Sequence, residues 1–329
     1  MKKIINNPNE VVTDMLKGMA AANPDIVYLG EGVEVIARKE KTPGKVGVIA
    51  GGGSGHEPAH AGYVGKGMLD AAVAGHIFSS PSPDRIIEGI KAADAGKGVL
   101  MIIKNYSGDI MNFQMAGEMA EFEGIKTDFV VVKDDVAVPD STYSTGRRGI
   151  AGTVFVHKIA GAAAEAGKSL EEVKAVAEKT IANIRSMGMA MTPCILPAVG
   201  KPGFELGEDE VEIGMGIHGE PGINRERITP ARELAPKLLG KILEDYDYSN
   251  SEVAVMVNGL GGTPLMELYI LYDEVRKVLE EKGIKIYRPF VGNYMTSLEM
   301  AGCSITLLKL DDELKEYLDA PSLAPGMRI

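Results

Sequence analysis

Several polar side chains in this sequence stand where chemistry on a small ligand is feasible. His218 lies in "GIHGEPG" (216–222), between glycines and with an acid two residues on. Its neighbours supply little packing, so the heptad alone reads as a surface turn. An open imidazole is also a fair nucleophile at neutral pH, because its ordinary pKa is about 6.5. A second cluster, "GGGSGHEP" (51–58), carries Gly53, Ser54, Gly55 and His56 directly after the apolar run "KVGVIA". Glycines at a strand end let a ligand come close to backbone N–H groups. A third, "IIKNYSGD" (102–109), places Lys104 and Asp109 around a short loop. Asp109 reads as a helix N-cap, and a capping carboxylate can also serve as a proton acceptor.

Regular elements must hold these loops in place. "KVGVIA" (45–50), "GVLMIIK" (98–104) and "KTDFVVV" (126–132) read as strands, and "DAAVAGHIF" (70–78) as a further buried segment. "PDRIIEGIKAADAG" (83–96) has helical spacing, with Ile86, Ile87 and Ile90 on one face. Residues 151–185 read as two helices, the second opened by a capping box of Ser169 and Glu172. Alternating strands and helices predict an α/β protein with a mostly parallel sheet covered on both faces. Near residue 185 the texture turns rich in Gly, Pro and Met. Two α/β domains are expected, 1–185 and 186–329, the second a smaller α+β-like sheet domain carrying His218. No low-complexity linker separates them, so the halves should pack directly. "VEIGMGIH" (211–218) alternates as a strand would, and "SEVAVMVNGLGGTP" (251–264) as a strand running into a helix from Pro264. "KIYRPFVG" and "SITLLKL" supply further strands.

The bulk numbers narrow the classes. A net charge of −11 disfavours non-specific binding to nucleic acid or anionic membranes. There is no apolar run long enough for a span or a signal peptide, so a cytoplasmic protein is expected. Hydrophobic residues make up 45% of 329, enough for a large core. Cys194 and Cys303 have no CxxC partner, which disfavours a disulfide framework or structural zinc. "HEPAH" (56–60) has the letters of a zinc-protease motif, but Pro58 and the preceding glycines oppose the helix that motif needs, and no metal is expected. "GGGSGH" lacks the Lys-Ser/Thr end of a nucleotide P-loop and the last glycine of the dinucleotide fingerprint. Arg147 and Arg148 read as a solvated pair rather than a phosphate site. His60, His76 and His157 read as packing or hydrogen-bonding residues.

Taken together and in order, "GGGSGHEPAHAGYVGKGMLDAAVAG", "IIKNYSGD" and "GIHGEPG" closely resemble the substrate-binding K subunit of dihydroxyacetone kinase, over nearly the whole chain. The resemblance implies that dihydroxyacetone is held covalently, as a hemiaminal on the histidine that matches His218. It implies that Gly53, Ser54, Gly55 and His56 line the ketone, and that Lys104 and Asp109 complete the pocket. Asp109 would contact the hydroxyl to be phosphorylated; whether Asp109 or His56 takes its proton stays open. No cofactor is expected on this chain. Mg²⁺ with ADP or ATP would sit on a separate L-type subunit, recharged in many bacteria through an M-type phosphotransferase protein. A homodimer is expected. The family also includes co-activators that sense dihydroxyacetone without turnover and lack parts of the site; every site position is present here.

Overall fold

The computed structural model describes residues 2–141 and 144–329; Thr142 and Tyr143 of "STYSTGRRGIAG" lie outside the described residues. The chain opens with α1 (Val11–Ala22), then the short β1 (Val27–Leu29) and β2 (Val35–Arg38). Next come β3 (Gly47–Ser54), β4 (Ala71–Ile77), α2 (Pro83–Ala93), β5 (Val99–Lys104), α3 (Ser107–Phe122) and β6 (Thr127–Val132). They form a six-stranded sheet in the order β1-β2-β4-β3-β5-β6. The neighbours β4, β3, β5 and β6 are parallel, and β1 and β2 add an antiparallel edge.

Both faces of this sheet are covered, which explains its unbroken apolar strands. Along β5, Val99, Met101 and Ile103 pack with Ile86, Ile90 and Phe113 of α2 and α3. Leu100 and Ile102 point the other way, toward α4 (Thr153–Glu165) and α5 (Leu170–Asn183). The capping box at Ser169 is formed, with Glu172 N–H donating to the Ser169 hydroxyl. Helix α4 has a different role. Every residue from Thr153 to Ala164 is buried, as expected of a helix enclosed on all sides.

The second sheet supplies that enclosure. It contains β7 (Ile184–Ala190), β8 (Glu210–Ile213), β9 (Asn224–Arg227), β10 (Glu252–Gly259), β11 (Lys285–Gly292) and β12 (Gly302–Leu310), in the order β11-β10-β12-β7-β8-β9. Only β10 and β11 pair in parallel; the other neighbours are antiparallel. Ala254, Met256 and Leu308 face the same core as α4. Val253, Val255 and Val257 face outward to α6 (Ala231–Asp245) and α7 (Leu265–Glu281). The halves thus pack directly, as a helix–sheet–helix–sheet–helix stack with one shared central core. The last helix, α8 (Asp312–Asp319), lies on α4, where Lys158 Nζ donates to Tyr317 O at 2.6 Å. Gly326 N–H then donates to Gly62 O in the first half at 2.7 Å.

Two features depart from the sequence reading. The strand expected through His218 ends at Ile213, because Gly214 turns at φ +80° and Arg148 Nη2 takes its carbonyl at 2.7 Å. Nor is Arg148 solvated. It is fully buried and holds Asp135 at 2.8 Å from Nε and 2.7 Å from Nη2. Arg147 is partly exposed and pairs with Asp245. No described helix is long and apolar enough to cross a membrane.

Candidate active site

The site forms where the carboxyl ends of β3 and β5 meet two loops of the second sheet. Carboxyl ends of parallel strands are where open α/β sheets accept ligands. From β3 come Gly53 and Ser54, followed by Gly55 and His56. Gly53 is pressed against the backbone after β4: a Cβ there would lie 2.4 Å from Ser79 N and 2.6 Å from Phe78 C. Only glycine fits without moving the turn. The Ser54 hydroxyl points into the sheet and donates to Gly75 O at 2.8 Å. Gly55 N–H donates to Glu57 Oε1 at 3.1 Å.

His56 and His218 meet face to edge. Their Nε2 atoms are 3.0 Å apart. His56 is fully buried, and its Nδ1 donates to Thr296 O at 2.8 Å. His218 is held by Glu220 twice: Nδ1–H donates to Oε1 at 2.9 Å, and the His218 backbone N–H to Oε2 at 2.8 Å. The Tyr106 ring meets His218 edge-on with centroids 4.6 Å apart, and Phe78 does so at 5.2 Å. Phe78 also stacks on His56 at 5.2 Å. Phe78 and Leu298 have φ of +56° and +53°, a region costly for a side chain with Cβ and found where function demands a geometry.

Lys104 and Asp109 close the floor. Asp109 Oδ2 and Lys104 Nζ each lie 3.4 Å from the point where a Cβ on Gly52 would stand. Asp109 sits in the first turn of α3, two residues past its start, so it is not the cap residue; that position is Tyr106. Burial raises the Asp109 pKa, opposed by Lys104, the Ser80 hydrogen bond and His218. Burial lowers that of Lys104, opposed by Asp109, Glu220 and Asp134. Lys104 Nζ and the Tyr106 hydroxyl are buried with no hydrogen-bond partner among the described residues. Such orphaned groups mark a place where a polar ligand or water completes the bonding.

Glu220 remains ionised despite burial. The charge and hydrogen bond of His218, its own backbone N–H and Arg148 outweigh desolvation and hold its pKa at about 2. Arg148 also supports the loop from behind, with Nη1 3.3 Å from Pro221 O. A Cβ on Gly216 would lie 2.1 Å from Glu220 Oε2 and 2.8 Å from Arg148 Nη1, so the loop closes on that pair only with glycine there.

All the residues singled out in the sequence converge here except through one detail: the Ser54 hydroxyl serves the sheet. Glu220, Tyr106, Phe78, Thr296 and Arg148 were not assigned site roles. Glu220 carried a local signal, an acid two residues from the histidine. The zinc-like letters of "HEPAH" split apart, since no helix covers them: His56 faces His218, while His60 Nδ1 meets His157 Nε2 at 2.9 Å.

This geometry defines a class: a two-sheet α/β protein that gathers one oriented imidazole nitrogen, a lysine and a carboxylate at the carboxyl ends of its parallel strands. The chain belongs to the Dak1 domain family, whose profile matches residues 17–326. It is 57% identical to the PTS-dependent dihydroxyacetone kinase 1, dihydroxyacetone-binding subunit DhaK of Listeria innocua, over 95% of each chain. It is 42% identical to the PEP-dependent dihydroxyacetone kinase, dihydroxyacetone-binding subunit DhaK of Escherichia coli, over 99% of each. Among solved structures it resembles the dihydroxyacetone kinase of C. freundii (TM-score 0.92, 34% identity, 99% of this chain and 60% of that one). It also resembles the dihydroxyacetone kinase operon co-activator DhaQ (TM-score 0.89, 39% identity, 96% of this chain and 97% of that one).

Proposed function

We propose that the chain is the dihydroxyacetone-binding subunit of a dihydroxyacetone kinase, and that it holds the ketone as a hemiaminal on His218. The observation that carries this reading is the bidentate grip of Glu220 on His218. It commits Nδ1 to the carboxylate and leaves Nε2 as the ring nitrogen turned toward His56 and the glycine turn. Addition of Nε2 to the carbonyl carbon selects a ketone over a polyol such as glycerol, which has no carbon to attack. Hydrogen bonding alone separates such similar molecules less sharply. The tether also fixes a terminal hydroxyl, and fixing reactants lowers a barrier by up to roughly 7–11 kcal/mol.

Asp109 is suited to accept the hydroxyl proton as the phosphoryl group leaves its donor, with His56 as the competing acceptor. Lys104, buried and unpartnered, is placed to donate to a substrate oxygen. The donor arrives on another protein, an L-type subunit carrying Mg²⁺ with ADP or ATP. With the PTS-dependent relatives in view, phosphoenolpyruvate relayed through an M-type protein is the favoured source. The subunit works as a homodimer in the cytoplasm. The competing reading is a co-activator that senses the ketone, favoured by the close likeness to DhaQ; four converging polar groups suited to phosphoryl transfer support the kinase subunit instead.

The deciding experiment follows dihydroxyacetone phosphate through a coupled NADH assay. The purified chain with ATP and Mg²⁺ should be silent, and an added L-type subunit with its donor should start turnover. Turnover by the homogeneous chain alone, or silence with a competent L-type partner, would contradict the reading.

A further inference from the structure

We propose that the His60–His157 pair positions Lys104: a bare Nε2 on His60 takes one of the lysine's N–H groups through a buried water, and so keeps Lys104 off Asp109. This rests on the reading of Lys104 as a donor to the ligand.

Sheet register brings the groups together. Gly52 stands opposite Ala74 of β4. On the other side Ala50 stands opposite Ile102 of β5, so two residues further on Gly52 is level with Lys104. Lys104 alternates with Leu100 and Ile102 and turns to the face that α4 covers. Gly52 puts no side chain into this row, and the lysine lies across it: Cε and Nζ both stand 3.4 Å from where a Cβ would be. A small cavity bordered by Gly52, Gly53, Ala74 and His60 has room for about one water. Behind His60 stands His157, buried in α4, with His60 Nδ1 and His157 Nε2 2.9 Å apart.

Counting hydrogens gives the pair its direction. Burial, and after it the Lys104 charge, holds both rings below the ordinary imidazole range, His157 at about 3. Two neutral imidazoles that share one N–H···N bond keep one outer nitrogen bare and one protonated. The outer nitrogens, His60 Nε2 and His157 Nδ1, are buried without a partner among the described residues, and so is Lys104 Nζ. Lys104 brings only donors, so the group that completes it must accept. That places the bare nitrogen at His60 Nε2, with His60 Nδ1–H donating to His157 Nε2 and the remaining hydrogen on His157 Nδ1.

The arrangement bears on the site because Asp109 stands over the same glycine. Its Oδ2 is also 3.4 Å from the Gly52 Cβ point, yet no hydrogen bond joins it to Lys104. A lysine with no other acceptor would swing onto that carboxylate and occupy the oxygen suited to take the hydroxyl proton. Held by His60, Lys104 keeps an N–H for the ligand and leaves Asp109 free. Both histidines are positioning residues, and the second histidine of "HEPAH" gains a use that is neither metal binding nor packing.

The test uses the full chain with ¹⁵N-labelled histidine, and calorimetric titration with dihydroxyacetone. In the parent, His60 should show a protonated Nδ1 and a bare, hydrogen-bonded Nε2. In Lys104→Met the Nε2 signal should move to the position of a free pyridine-type nitrogen. A protonated His60 Nε2 in the parent, or an Nε2 signal that Lys104→Met leaves in place, would overturn the proposal. Two further variants separate positioning from packing. The amide of His60→Gln replaces Nε2, and its oxygen still accepts from the water; the amide of His60→Asn replaces Nδ1 and serves His157 instead. Ketone affinity should stay within about threefold of the parent in His60→Gln and fall about tenfold in His60→Asn. Equal losses in the two, following their thermal midpoints, are what mere packing predicts and would overturn the proposal. If neither variant folds, the nitrogen signals of the parent and Lys104→Met decide. Parent-like ketone affinity in Lys104→Met overturns the reading of Lys104 as a donor to the ligand, while the nitrogen signals still decide whether His60 holds it.

Discussion

Replacing Arg148 by Met should destabilise the protein far more than a charge change near a loop ordinarily does. Arg148 and Asp135 are 0% and 1% exposed, with Nε and Nη2 at 2.8 and 2.7 Å from one carboxylate oxygen. Without the guanidinium, Asp135 keeps, among the described residues, the Ala137 N–H at 2.9 Å on its other oxygen. Breaking a buried pair on one side costs about 3–5 kcal/mol, a large share of a total of roughly 5–15 kcal/mol. The carbonyls of Gly214 and Pro221 lose their donor in the same step, which frees the loop bearing His218. Urea unfolding measures the loss, and ketone titration the weakened site. The effect should depend on pH with a definite sign. Burial already pushes Asp135 up to about 6 from 3.8 even with Arg148 opposing it. Removing Arg148 pushes it higher. A carboxyl raised in the folded state contributes stability when protonated, lost as pH rises through its folded value. The variant should therefore be relatively more stable near pH 5 than near pH 8. Asp135→Asn added to Arg148→Met should restore part of the loss by removing the stranded charge. A single variant within about 1 kcal/mol of the parent, or a double variant no more stable than the single, would refute the reasoning.

Asp109→Asn should bind dihydroxyacetone nearly as the parent does and turn over slowly with the donor subunit, by roughly 10²–10⁴-fold in kcat; parent-like kcat would point to His56 as the proton acceptor. Gly53→Ala should cost about 1–3 kcal/mol by overpacking, since its Cβ would stand 2.4 Å from Ser79 N; thermal unfolding checks it, and an unchanged midpoint would count against the tight turn. Glu220, held at about 2 in the fold against an ordinary 4.5, contributes stability that is present above about pH 4.5 and lost as pH falls toward 2. Acid titration of the parent against Glu220→Gln should show a flatter acid limb in the variant.

Much of the site was legible in the sequence for a physical reason. Small ligands require bare backbone, and bare backbone is written as glycine runs beside the polar groups they serve: "GGGSGH" and "GIHGEPG" announce themselves. The parallel sheet was legible because strands buried on both faces become unbroken apolar runs, as in "GVLMIIK". Arg148 was misread because local sequence shows a charge pair and says nothing of Asp135 and Gly214, which only folding brings to it. The strand through His218 was overextended for a related reason: "VEIGMGIH" alternates, yet Arg148 captures the Gly214 carbonyl and the chain turns away. Tyr106, Phe78 and Thr296 carry no signal of their own. They matter by touching two histidines that lie 162 residues apart. Helix α6 escaped the periodicity reading, and it holds Pro236 inside its span.

The most direct test of the central claim is a crystal of this chain soaked in dihydroxyacetone. The account predicts continuous density between His218 Nε2 and a tetrahedral ketone carbon, with Nδ1 still on Glu220 and a terminal hydroxyl beside Asp109. A planar ketone separated from the ring by a van der Waals gap, or bound elsewhere with the two histidines still paired, would contradict it.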